Sequence, residues 1–468
     1  MKGSPDKSER LAAASRAVSP ARLAAARILG RCRQHHAFAQ EVLDQDLHAV
    51  DLSPADRRLT TQLVYGVLRR RRTVDALLQA VVRRPRHLVE ARLWELLRLG
   101  AYQLALLTQV PPHAAIFETV ELAGALGRPK AKGFLNGILR AVSRLVTDEY
   151  RDSPSADSIP MEAGRYRCLR QPVLPAPAEH PVEYLAVGFS WPRWLAARWW
   201  ERYGWEECLR LGFWFAGPAP LWLRSNPLRI EREALLAALA EAGVAASAGS
   251  HPQSVRLAEH AAIRELPGYD QGWFTVQDES AMWVATALDP PPGSRVLDLC
   301  AAPGGKTTHL AELMGNQGRI VACEPDAGRL ARLEELCRRL GIGIVEPTLL
   351  QDEPPPGPFD AVLVDVPCSN TGVLGRRPEV RDRLKPDDFR RLVPLQTKLL
   401  LQAAERVRPG GAVVYSTCSI EPAENQAVVQ VVCSALTDMV LEAEERQVPG
   451  QPADGGYWAR LRRRGAAD

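Results

Sequence analysis

The sequence predicts a multidomain protein: an all-α front, a small α+β module behind it, and an α/β sheet domain that carries the chemistry. Three observations point there. Apolar residues recur at three- and four-residue spacing from Pro20 to about Val146, the period of amphipathic helices. From Gln277 onward short apolar runs alternate with helix-like segments, the pattern of a parallel sheet with crossover helices. Within the second stretch, Val296-Leu297-Asp298-Leu299 runs through Cys300-Ala301-Ala302-Pro303-Gly304-Gly305 into the helix-like Lys306-Thr307-Thr308. A strand, a tight loop and a helix start in that order place a ligand at the carboxyl end of a sheet.

Composition bounds the answer. A chain of 468 residues has room for roughly two to four cores. Hydrophobic content of 46% and charged content of 24% are those of a globular protein. No apolar run approaches the ~20 residues that span a bilayer, so no membrane partner is expected. Met1 to Arg10 is charged and lacks a signal-peptide core, and a cytoplasmic location follows. The nine cysteines are odd in number and include no Cys-x-x-Cys pair, so neither a disulfide framework nor a metal site is expected. The net charge of +4 hides an asymmetry. Residues 1–150 hold 24 Lys+Arg against 14 Asp+Glu, leaving 35 against 41 for the remainder. A front at +10 joined to a rear at −6 fits an RNA-facing module on an enzyme body.

Taken in order, residues 1–18 are small and polar and are expected to be a disordered tail. The helical front, 19–147, contains candidate helices Ala21–Leu29, Leu59–Leu68, Val74–Val82, Ala91–Leu107 and Ala115–Leu126. Arg69 to Arg72 form a run that is either a solvated helix end or a phosphate-contacting surface. Residues 148–181, rich in Pro, Ser and Ala, are expected to be a linker. The module at 182–276 is dense in tryptophan. Helix-spaced tryptophans favour a core over a base-stacking platform. It also holds strand-like Leu221–Asn226 and Ser254–Leu257 around a helix at Glu231–Ala242. In the sheet domain, 277–468, candidate strands are Arg295–Leu299, Arg319–Cys323, Ile342–Glu346, Asp360–Asp365 and Ala412–Thr417.

The strand ends supply the chemistry. Gly305-Lys306-Thr307 resembles the end of a phosphate-binding loop, but Cys300 stands where that loop needs glycine, and no Gly-x-Gly-x-x-Gly follows the strand. After the second strand comes Glu324, placed for ribose hydroxyls, and after the third Asp352, placed for an adenine amino group. A nucleoside cofactor without a phosphate loop points to S-adenosylmethionine, with Asp298 and Glu324 suited to it. Cys368 and Cys418 follow the fourth and fifth strands, among polar and turn-forming residues, whereas Cys300, Cys323 and Cys433 fit inert packing roles. Cytosine C5 is too weak a nucleophile to take a methyl group unaided. A thiolate adding to C6 activates it, and a second group must then assist loss of the C5 proton and of the thiol.

These motifs closely resemble the RNA cytosine-5 methyltransferases of the Sun family. The resemblance rests on Asp298 to Thr307, Asp365-Val366-Pro367-Cys368-Ser369 and Ser416-Thr417-Cys418-Ser419. It extends to Phe274 to Ser280, Glu421-Pro422-Ala423-Glu424-Asn425 and, more loosely, Asp454 to Tyr457. Pro111 to Glu121 and Lys132 to Arg140 resemble the NusB-like RNA-binding domain. The combination is that of the family's bacterial members acting on 16S ribosomal RNA.

The resemblance implies a NusB-like all-α domain, a small α+β RNA-binding module and a Rossmann-like class I S-adenosylmethionine-dependent methyltransferase domain. It implies Cys418 as nucleophile, Cys368 as the cysteine assisting release, Asp365 as the acid at the base, and Lys306 between cofactor and base. The implied cofactor contacts are Asp298, Cys300, Ala301, Ala302, Pro303, Gly304, Gly305, Lys306, Glu324, Arg329, Asp352 and Asp365. Glu324 stands where the family more often has Asp, and Val366 and Asn370 replace commoner small residues beside Cys368. Within this reading Arg376, Arg377 and the arginines from Arg381 to Arg391 become phosphate contacts. The target is an unpaired or flippable cytosine, since duplex RNA hides C5 in a deep groove. The enzyme is expected to act as a monomer on RNA. Transfer RNA as substrate, or a non-catalytic antitermination factor using the NusB-like front, are the competing functions. A DNA cytosine methyltransferase is disfavoured because that group takes its nucleophile from the Pro-Cys motif and also carries a Glu-Asn-Val segment absent here.

Overall fold

A computed structural model describes residues 18–35, 38–49, 52–259, 261–351 and 353–465. The expected tail and Asp352 therefore lie outside the described residues, save Val18. The chain divides into two compact units. One runs to Pro218 and includes Leu374–Arg383, and the other holds Ala219–Val373 and the chain from Leu384.

The first unit is mainly helical, with helices Pro20–His35, Ala39–Ala49, Pro54–Arg69, Arg71–Val81, Ala91–Leu106, Pro112–Ala125 and Lys132–Leu145. Local chemistry sets their ends. Ser53 caps the third, its hydroxyl accepting from Asp56 N at 3.1 Å, and Pro54 fills the first turn where no amide partner is needed. Their apolar faces close on Trp94, Leu97, Leu99, Leu122, Leu135 and Leu139, all buried. Trp191 and Trp199 are fully buried in the same unit, so these tryptophans are core and not an exposed stacking platform.

One expectation is corrected here. Residues 148–181 are not a bare linker. They contribute to a three-stranded antiparallel sheet, order β1-β3-β2, of β1 (Val146–Arg151), β2 (Ser158–Glu162) and β3 (Arg165–Leu169). The Pro and Ser content hides a buried set of Ile159, Tyr166, Cys168 and Leu169. The segment expected as a small α+β module, 182–276, spans the boundary between the two units at Pro218.

The arginine run is also structural. Arg70 is buried and donates to Met161 O at 3.0 Å, Arg69 Nε donates to Gly375 O at 2.9 Å, and Arg71 pairs with Asp382 at 2.7 Å. Arg381, expected on a phosphate surface, is 2% exposed. Its guanidinium donates to the carbonyls of Arg69, Phe189, Phe215 and Leu374. A guanidinium buried in that way is closed off from a phosphate.

The second unit carries two sheets. The smaller is antiparallel, order β5-β6-β4-β7, with β4 (Leu221–Ser225), β5 (Ala246–Ala248), β6 (Ser254–Leu257) and β7 (Phe274–Val276). The larger has seven strands in the order β10-β9-β8-β11-β12-β14-β13. Its strands are β8 (Arg295–Asp298), β9 (Arg319–Glu324), β10 (Val345–Leu349), β11 (Phe359–Asp365), β12 (Val407–Thr417), β13 (Met439–Gln447) and β14 (Gly456–Arg463). β8 to β12 are mutually parallel, while β14 runs antiparallel to both its neighbours. This mixed, Rossmann-like sheet has apolar cores on both faces, as buried parallel strands require. The chain proceeds from β8 outward to β9 and β10, then returns to β11 on the other side of β8. The strand order reverses there, and the carboxyl ends of β8 and β11 are where open sheets of this kind hold ligands.

Candidate active site

The loop after β8 turns at Gly304, whose φ of 107° is a left-handed conformation open to glycine and strained for other residues. A Cβ there would also meet Leu333 at 3.1 Å. The helix Gly305–Leu313 starts immediately, presenting its first-turn amides toward the strand ends. Asp298, last residue of β8, is almost fully buried. It accepts from Thr307 Oγ1 at 2.7 Å and from Cys300 N at 3.4 Å. Burial pushes its carboxyl up to about 7 against the opposing pull of the Thr307 hydroxyl.

Glu324, at the end of β9, is buried, and its Oε1 accepts from Arg329 Nη1 at 3.1 Å and Asp326 N at 3.2 Å. Arg329 also donates to Ala302 O, tying the acidic strand end to the glycine loop. Ala301 N is held by Cys323 O at 3.0 Å. The expected cofactor residues from Asp298 through Lys306, with Glu324 and Arg329, thus line successive strand ends. Cys300 is half-buried, and burial beside Asp298 raises its thiol far above the usual range.

β11 and β12 are parallel neighbours with Asp365 opposite Ser416, so the loops that follow them leave the sheet side by side. Cys368 Sγ and Cys418 Sγ stand 3.3 Å apart, both partly accessible. The hydrogen bond to Cys418, and then burial, drive the Cys368 thiol well above its usual range. Cys418 Sγ also lies 3.3 Å from Asn370 Oδ1. Asn370 adopts a left-handed φ of 58° and donates from Nδ2 to Cys368 O at 2.8 Å, which curls the loop back over the sulfurs.

Lys306 Nζ donates to Asp365 Oδ2 at 2.6 Å, and Ser416 Oγ donates to Asp365 Oδ1 at 2.6 Å. Burial lowers the Lys306 pKa, but the Asp365 carboxylate outweighs it and holds the ammonium above its usual value. Asp365 therefore accepts at both oxygens. Cys368, Cys418, Asp365 and Lys306 are thereby brought into one cluster at the end of β11 and β12.

Sequence reasoning missed the residues that hold this cluster. Arg224 of β4 is fully buried and makes a bidentate pair with Glu312, at 2.9 and 2.7 Å. The same guanidinium donates to Gly305 O at 2.6 Å, to Thr308 Oγ1 at 3.0 Å and to Gln277 Oε1. It fastens the helix that carries Lys306 from below. Glu424 binds the loops bearing the two cysteines. The motif containing Glu424 was visible in the sequence, but its acceptor role was not. Arg224 had no signal beyond its place in a strand.

Among the described residues no group of three or more His, Cys, Asp and Glu side chains could hold a metal ion. Among the described residues no helix is long and apolar enough to cross a membrane. What the site can do is set by its groups: paired thiols, a cation beside a carboxylate, and a glycine turn flanked by buried acids.

The chain matches the family model "16S rRNA methyltransferase RsmB/F" over residues 285–455, the NusB family over 19–144, and the RsmF/B-like ferredoxin-like domain over 191–264. A probable ribosomal RNA small subunit methyltransferase B of Synechocystis sp. is 39% identical over 412 residues, covering 86% of each chain. Ribosomal RNA small subunit methyltransferase B of Klebsiella pneumoniae is 34% identical over 432 residues, 88% of this chain and 91% of its own. The crystal structure of PH0851 superposes with a TM-score of 0.76 at 25% identity, covering 95% of this chain and 99% of its own.

Proposed function

Because this chain belongs to the RsmB/F family of 16S rRNA methyltransferases, we propose that it methylates C5 of a cytidine in 16S ribosomal RNA through a covalent bond to Cys418. The 3.3 Å contact between Cys418 and Cys368 carries this reading, because two sulfurs at that spacing can act on adjacent atoms of one base. S-adenosylmethionine, when bound, supplies an electrophilic methyl on a sulfonium. Asp298 and Glu324 would hold it with the loop from Cys300 to Gly305, and the buried acids suit its cationic and hydroxyl-bearing groups.

Cys418, as thiolate, adds to C6 of the flipped cytosine, and C5 gains the electron density needed to take the methyl group. The Lys306 ammonium sits close enough to favour the thiolate and shares its proton with Asp365, 2.6 Å away. The ammonium and the carboxylate stay paired, and the Lys306–Asp365 pair sets the charge beside the base as the adduct forms. Cys368 then assists removal of the C5 proton, the C6–sulfur bond breaks, and Cys418 leaves as thiolate. The enzyme works as a cytoplasmic monomer, with the NusB-like front supplying RNA affinity.

Methyl incorporation from labelled cofactor into 16S ribosomal RNA tests this. Cys418→Ala is expected to abolish it. Cys368→Ala is expected to leave a covalent RNA–protein complex on a denaturing gel. Normal turnover in either variant overturns the mechanism.

A further inference from the structure

Each reactive cysteine is followed directly by a serine, and both serines bond to one carboxyl group. Glu424 Oε1 accepts from Ser369 N at 2.9 Å and from Gln396 Nε2 at 3.0 Å. Glu424 Oε2 accepts from the hydroxyls of Ser369 and Ser419, the latter at 2.5 Å. Gln396, from the helix Asp388–Arg406, also donates to Pro367 O at 3.0 Å, one residue before Cys368. Glu424, Ser419 and Gln396 are fully buried and Ser369 nearly so. Thr371 Oγ1 stands 3.0 Å from Ser419 Oγ and 3.3 Å from Ser369 Oγ, closing the hydroxyl cluster.

This clamp sits where the sheet stops supplying order. The β11–β12 ladder ends at Asp365 and Ser416, extended by Val366 N to Ser416 O at 3.0 Å. Beyond it, one main-chain bond between the loops is present, Gly372 N to Cys418 O at 3.0 Å. With a single bond of that kind, and Ile420 N donating to Thr371 Oγ1 at 3.1 Å, the spacing of the loops at the cysteines falls to side-chain contacts. A buried acceptor of four donors, reaching the residue after each cysteine, supplies such contacts.

We propose that Glu424 is a positioning residue that sets the sulfur-to-sulfur distance, acting through Ser369 and Ser419 and touching no reacting atom itself. The proposal rests on the reading of Cys418 and Cys368 as reacting groups. Adding a thiolate to C6 while a second sulfur waits at C5 requires both sulfurs to be staged together. A displacement near 1 Å at such a site costs on the order of 100-fold in rate.

The rate at which diamide closes Cys368 and Cys418 to a disulfide measures their separation without reference to methyl transfer. Diamide takes up the two thiol hydrogens and becomes the hydrazine, and the disulfide is read by mass spectrometry and by protection from alkylation. In the full-length protein, Glu424→Ala is expected to slow closure about tenfold or more, and to lower kcat on the order of 100-fold. The KM for S-adenosylmethionine is expected to stay within about twofold, since the glycine loop is untouched. Glu424→Gln should fall between, because its amide oxygen still accepts from Ser369 N and Gln396 while its NH2 can donate to the serines. Closure at the wild-type rate in Glu424→Ala overturns the proposal. Should that variant not fold, Ser369→Ala combined with Ser419→Ala keeps the carboxyl and removes the two hydroxyls, and unslowed closure there overturns it equally. Slowed closure alongside a wild-type protein that transfers no methyl group to RNA upholds the positioning and overturns the role given to the cysteines.

Discussion

Replacing Arg224 with methionine removes the charge that Glu312 faces in a fully buried pair. Glu312 would retain only Gln253 Nε2, at 3.1 Å, among its bonded donors. A buried carboxylate stripped of its cation costs about 3–5 kcal/mol. In a sheet unit of this size each kcal/mol moves the unfolding midpoint by about 2–4 °C, so a fall of about 6–20 °C is expected. Glu312→Met should cost a similar amount by stranding the guanidinium. The double variant removes both charges together. It should lose about 1–2 kcal/mol, the value of the orphaned bonds to Gly305 O and Gln277, and so be milder than either single change. Calorimetry of the four proteins completes the cycle. A double variant whose loss equals the sum of the two singles would refute the pairing as the source of the energy.

Other consequences follow from the same geometry. The folded-state pKa of Asp298, about 7, lies above its unfolded value near ~4, so its stabilising contribution is complete below the unfolded value and lost as pH rises through 7. A cationic cofactor prefers the carboxylate, so affinity for S-adenosylmethionine measured by titration calorimetry should rise across the same window. Asp298→Asn should flatten it, and an unchanged slope in that variant contradicts the assignment. A Cβ on Gly372 would stand 2.2 Å from Gly455 O and 2.9 Å from Cys418 O, so Gly372→Ala must move the Cys418 loop. Its kcat is expected to fall at least about tenfold in a methyl-transfer assay. Arg381→Met orphans the carbonyls of Arg69, Phe189 and Phe215 and should destabilise the helical unit by about 3 kcal/mol, seen as a lower midpoint.

The parallel sheet was legible because its signals are local. The apolar run Val296–Leu299, broken by small residues and glycines, marks a strand and turn without reference to anything distant. Cys368 and Cys418 could be placed together because both follow apolar runs of a βα pattern, and β11 and β12 prove to be neighbours. The third strand lies at Val345–Leu349, three residues beyond its expected start, since its exposed Glu346 and Pro347 blur the edge. β13 escaped notice because Leu441 to Glu445 is exposed along an edge and looks like solvated chain. The arginines misled for a different reason. Whether Arg70 or Arg381 faces water or buried carbonyls depends on residues far away in sequence. Glu424 and Arg224 were silent for the same cause, since a buried polar group is identified by its partners and not by its neighbours in sequence.

The central claim is a covalent bond from Cys418 to the target base. RNA carrying 5-fluorocytidine at the modified site tests it, because fluorine cannot leave C5 as a proton does and the adduct persists. Digestion and mass spectrometry should then find the methylated fluorocytidine attached to the peptide containing Cys418. Attachment to Cys368, or intact protein with no attached nucleotide, would contradict the account.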